Sequence, residues 1–135
     1  MISSQLSRAS AVFLLVAGLA LLFAADVILP QIVPGFPADG TWLGQMLGAS
    51  WLAVGTLNWL SRAMLLGGIY GRPIVLANLS IYFIGAMVLL RTVATGETPT
   101  AVSFVFFPLV IFSAIYGWLL LRGPLLRDFE FNRGT

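Results

Sequence analysis

Few side chains in this sequence of 135 residues can do chemistry. It contains no cysteine and no histidine. That removes disulfides, thiolates, zinc sites of the Cys/His kind, histidine-ligated haem and the usual general base near neutral pH. The acids are Asp26, Asp39, Glu97, Asp128 and Glu130, and the bases are arginines throughout. Only Asp26 falls within an apolar run. An ionisable residue in such a place is by default a candidate for handling a proton or cation. Here Pro30 follows one turn later, so an outer-surface position or a contact with a partner is the alternative. Asp39 and Glu97 are of a type that can act as acid and base or hold a metal ion. With no other polar cluster near them in sequence, they read as solvated loop charges. The remaining polar groups of note are the amides Gln45, Asn58 and Asn78. No catalytic set, no metal site and no dedicated cofactor is expected, although a bound lipid or other apolar molecule is compatible with the inventory.

The elements that carry these residues follow from composition. Hydrophobic residues make up 59% of the chain and charged ones 9%, against about 25% charged in soluble domains. A water-facing surface cannot be built from that inventory, so the chain reads as an integral membrane protein. Four apolar runs, at about 9–29, 42–60, 74–90 and 101–121, are separated by breaks such as "PQIVPGFPADG", "GRP" and "RGP". Each approaches the ~20 residues needed to cross ~30 Å of hydrocarbon. The first run exceeds the ~7–15 residues of a signal-peptide core, and "FAADV" is a poor cleavage site, so it too reads as a span. The fold class expected is all-α: an up-down bundle of four transmembrane helices in one domain, with residues 122–135 as a short cytoplasmic tail. The prolines are expected at or beyond helix ends, apart from Pro108, which predicts a kink in the fourth span.

Arginine placement gives orientation. With the N-terminus in the cytoplasm, Arg8, Arg62, Arg72, Arg122, Arg127 and Arg133 lie inside and only Arg91 outside. Both termini are then cytoplasmic, and the expected location is the bacterial inner membrane. Trp42 marks the outer interface; Trp59, Tyr70 and Trp118 mark the inner one. The arginines do not form a dense patch interleaved with aromatics, so nucleic acid is not an expected partner despite a pI near 9.7.

Within the second run, Gly44, Gly48, Trp51, Gly55, Asn58 and Arg62 are spaced 4-3-4-3-4, one stripe of a helix. Glycines on such a stripe let another backbone come close, and "GQMLG" is a GxxxG element. Comparable stripes are Ser10, Phe13, Ala17, Ala20 and Ala24 in the first run, Asn78, Tyr82, Gly85 and Leu89 in the third, and Ser103, Phe106, Val110, Ser113 and Gly117 in the fourth. A bundle core is the plain reading of these stripes; a ligand-lined groove is the other. Asn58 and Asn78 fall at similar depth on neighbouring spans, which predicts an interhelical hydrogen bond. Gln45 sits near the outer end of its span, about 60° off the glycine stripe.

The stretch Leu47–Arg62, chiefly Gly48, Gly55, Asn58, Trp59 and Arg62, together with the four-run layout, resembles a loosely defined group of small four-span bacterial membrane proteins of unknown function. That resemblance implies the same bundle and no particular activity.

The leading expectation for function is a non-enzymatic accessory or scaffold subunit, with membrane lipids and other membrane-protein subunits, or further copies of itself, as partners. A second is a carrier or binder of a small apolar molecule (lipid, quinone or pigment) between the spans, with Trp51, Asn58, Asn78 and Tyr82 able to line the site. A third is a small oligomeric transporter using Asp26.

Overall fold

The computed structural model describes residues 2–64, 66, 69–96 and 99–122. The described residues form helices and turns: α1 (Ile2–Ile32), a short 3-10 turn (Ala38–Gly40), α2 (Thr41–Leu60), α3 (Arg72–Ala94) and α4 (Thr100–Arg122). Each of the four runs is a helix, and every helix extends past the apolar run that signalled it. The extension is largest at the start of α1, where Ser3, Ser7 and Ser10 are buried. A window of apolarity stops short of Ser3 and Ser7, although the helix needs them as a packing face. Residues 123–135, which include most of the expected tail, and Glu97 lie outside the described residues.

The local signals explain the ends. Pro73 occupies the first turn of α3, where its missing N–H costs nothing. Thr95 closes that helix and Gly96 follows at φ +73°, the left-handed conformation that glycine supplies after a helix. Pro30 departs from expectation, because it lies inside α1 rather than at its end. The backbone leaves helical values at Ala24 (φ −131°, ψ 27°) in α1, whereas α4 runs through Pro108 as one helix. A proline removes one donor within a helix but does not fix where the chain bends.

Three helices, α1, α3 and α4, are long and apolar enough to cross a membrane. The second is not among them, since its 20 residues include three glycines, Gln45 and Asn58.

The helices pair as two antiparallel hairpins, α1 with α2 and α3 with α4, and the hairpins face each other across a wider seam. The α1–α2 contact is a backbone contact. A methyl group placed on Gly48 would lie 2.7 Å from the Gly18 carbonyl oxygen, and one on Gly18 would lie 2.8 Å from that of Gly48. Gly44 packs on Ala25 and Leu29, and Gly55 on Leu14 and Leu15. Small residues are what close helix association requires where hydrophobicity gives no drive. In the α3–α4 hairpin, Gly85 receives Leu109 and Gly117 faces Leu79.

Candidate functional site

The buried residues of α2 are Gly44, Gly48, Trp51, Gly55 and Asn58, the stripe that the spacing defines. Its glycines face α1, and its last turn reaches α3. There, at the end where α1 and α3 begin, an amide pair forms. Asn58 Nδ2 donates to Asn78 Oδ1 at 2.7 Å, and Asn78 Nδ2 donates back to Asn58 Oδ1 at 2.6 Å. The second N–H of Asn58 goes to Ser10 Oγ at 2.9 Å, and that of Asn78 to the Ile74 carbonyl at 2.9 Å. Ser10 Oγ donates to Asn78 Oδ1 at 3.2 Å and lies 2.6 Å from Tyr82 Oη.

An amide offers two N–H donors, and both amides spend both of theirs inside the protein. Asn58, Asn78, Ser10 and Tyr82 are fully buried. In an apolar interior an unpaired amide would be costly, and here the pairing is complete. The cluster therefore joins α1, α2 and α3 and leaves no amide donor for a ligand. Matching depth made the pair legible in the sequence. The part played by Ser10 was not, because it depends on how α1 is rotated against α3.

Every buried serine and asparagine among the described residues (Ser3, Ser7, Ser10, Asn58, Ser61 and Asn78) lies at this amide end. Among the described residues, Ser7 Oγ and Tyr116 Oη are buried and make no hydrogen bond of ordinary geometry. Tyr116 instead stacks on Tyr82, centroid to centroid 5.8 Å, and Tyr82 stacks on Phe112 at 4.9 Å. Phe13 reaches Phe112 at 5.7 Å and Trp51 at 6.2 Å. These rings form a layer across the bundle above the amides. Arg62, at the end of the α2 stripe, donates to the Trp59 carbonyl at 2.7 Å, with its guanidinium 4.9 Å from the Trp59 ring centroid. It caps its own helix.

Beyond the aromatic layer the two hairpins enclose a groove of about 770 Å³. Its walls include Ala17, Ala20 and Leu21 of α1, Trp51 of α2, Ala77, Ser80, Ile81 and Gly85 of α3, and Val105 and Leu109 of α4. The volume is that of a small-molecule site, which typically occupies ~300–1,000 Å³. Of the residues expected to line a ligand site, Trp51 does so; Tyr82, Asn58 and Asn78 are committed to the amide cluster.

In α1 the stripe read from sequence lies in the bundle interior and on the groove, while a second face packs against α2; in α4 the stripe is turned from the buried face. In α1 the face against α2 carries Ala11, Leu14, Gly18, Leu21 and Ala25, all buried. Ser10, Phe13, Ala17 and Ala20 face the other hairpin and the groove. The 3-4-3-4 spacing from Ala11 through Gly18 to Ala25 was the available signal. In α4 the buried positions are Val102, Leu109, Tyr116 and Leu119, one residue, or about 100°, from the stripe of small residues. The wider seam between hairpins needs bulk, so large residues take the inner face there.

Asp26 is exposed on α1, as are Phe23 and Val27 beside it. It faces away from the amide cluster and the groove. Gln45 and Asp39 are exposed as well. No family model, curated protein or solved structure matches this chain.

Proposed function

We propose that the chain is a four-span protein of the bacterial inner membrane, with both termini cytoplasmic, which catalyses no reaction and holds an apolar molecule in the groove between its hairpins. The groove carries this reading: it is an apolar cavity of ligand size beside a polar cluster whose amides have no donor to spare.

Several features support α2 as the fourth span despite its low average apolarity. Its glycines and Asn58 point inward, and most of the side chains it exposes are apolar: Trp42, Leu43, Met46, Leu47, Leu57, Trp59 and Leu60. Twenty residues at 1.5 Å each give ~30 Å, the thickness of the hydrocarbon core. Orientation rests on the arginines. Arg8, Arg62, Arg72 and Arg122 belong to the amide end and Arg91 to the opposite one. Trp59, Tyr70 and Trp118 are exposed at the amide end and Trp42 at the other, which suits two interfacial belts. Reporters fused after Thr135 should read cytoplasm, and those inserted near Asp39 should read the outer side. A periplasmic signal from the C-terminal fusion overturns the orientation.

The test of function is purification of the full chain in a mild detergent, followed by identification of everything that elutes with it. A stoichiometric apolar molecule is expected. A second reading, an accessory subunit that packs on other membrane proteins, is favoured by Asp26. Ionisable residues in spans face a bundle interior, a water-filled cavity or a partner, and this one faces outward. Under that reading a protein partner elutes instead, and Asp26→Asn releases it.

A further inference from the structure

We infer that the occupant of the groove is the extended hydrocarbon chain of a membrane lipid, held by its chain rather than by a headgroup or ring. This deepens the binding role proposed above and rests on it.

Shape is the first ground. The α1 residues lining the groove run from Ala17 to Ile32, which at ~1.5 Å per residue is ~22 Å along the helix. One leaflet of hydrocarbon is only ~15 Å deep, half of the ~30 Å core. The groove is therefore long and axial, suited to a chain pulled straight.

The walls are the second ground. Ala17 and Ala20 on one side, with Ala77 and Ser80 on the other, leave a channel where larger residues would close it. These positions do not bring two backbones together, as Gly18 and Gly48 do.

Polarity is the third. Among the described residues, Ser80 is the only polar side chain in the lining, apart from the indole of Trp51. A quinone ring, a pigment or a headgroup would be fixed by a few convergent polar groups, and the groove has none. At its inner end, Trp51 and Phe13 stand 6.2 Å apart, with Tyr82 6.3 Å from Phe13. A chain thus ends with its methyl against these rings, and its headgroup stays outside, beyond Ile32 and Val102.

The test uses the full chain in nanodiscs made with a phosphatidylethanolamine carrying a diazirine either at the chain terminus or near the ester. The terminal probe should label Trp51, Ala77 and Ile81; the ester-proximal probe should label Ile32, Leu89 and Val102. Ala77→Leu and Ser80→Leu should each lower labelling about tenfold, the effect of steric mismatch in a fitted apolar pocket. Ala53→Leu, an exposed position on α2, should not. Labelling of the native chain stands without the variants, so a variant that misfolds leaves the test intact. Equal labelling by both probes at both ends overturns the inference, because it means disordered annular lipid. A retained quinone or pigment, with no groove labelling, overturns the chain assignment and leaves the binding role standing. Absence of both labelling and any retained molecule overturns both.

Discussion

The two seams of this protein solve opposite problems. Between α1 and α2 the backbones touch, because glycines and alanines at the contact let leucines seat against them, with Gly18 against Gly48 at its centre. Between the two hairpins the backbones stand apart, and the space is filled in layers. Amides and a serine hold one end, stacked aromatics the middle, and the far end is the apolar groove. The first seam gains from removing atoms and the second from adding them. A small residue therefore has no fixed meaning in this chain: at Gly48 it admits a helix, and at Ala77 it leaves the groove open.

The sharpest way to break the comparison is to enlarge one residue in each seam. Gly48→Leu should cost at least about 3 kcal/mol, because the added side chain meets a carbonyl and a backbone rather than a movable group. Loss of the folded fraction in a detergent-denaturation titration checks it. Should Gly48→Leu be tolerated, the α1–α2 seam is not built on backbone contact.

The next effect is at the amide end. Asn58→Leu and Asn78→Leu should each cost about 1–3 kcal/mol, since each leaves the other amide buried and short of partners. The double variant should cost less than the sum of the two, as expected for residues in one network. Additive losses in the same titration would show that the two amides are not coupled.

The two buried tyrosines sharpen the picture further. Tyr82 Oη lies 2.6 Å from Ser10 Oγ, whereas Tyr116 Oη makes no hydrogen bond of ordinary geometry among the described residues. Tyr82→Phe should therefore cost about 1 kcal/mol, whereas Tyr116→Phe should cost nothing or stabilise. Equal losses for both would mean that Tyr116 has a partner under the conditions of the measurement.

The smallest effect on stability belongs to the groove. Ala77→Leu should change the unfolding midpoint by the equivalent of no more than about 0.5 kcal/mol, because it adds atoms to open space. Its effect should appear in what the protein retains. A large loss of stability here would mean that the groove wall is core.

Much of this was open to reading in the sequence. The helices were, because an apolar run of span length, broken by Pro, Gly and charge, has few other solutions. So was the inner stripe of α2, since glycines, Trp51 and Asn58 at 4-3-4-3 spacing leave one face to bury. The depth match of Asn58 and Asn78 follows from a short connection and a fixed rise per residue. The seam of α4 was misread because small residues were given the inner face. Gly18 was missed because an alanine-rich helix shows two plausible faces.

The sequence by itself thus determined how many helices form, roughly where each lies and which face of α2 is buried, for these follow from local periodicity and chain direction. Only the tertiary structure decided which neighbour each face meets. It turned the glycine stripe toward α1, gave Ser10 to the amides, sent Asp26 outward and set the hairpins far enough apart to leave a groove. The physical reason is that helix rotation and separation are set by the sum of contacts on all sides. In an apolar medium, where nearly every face is acceptable to the surroundings, one helix alone carries little information about its partner.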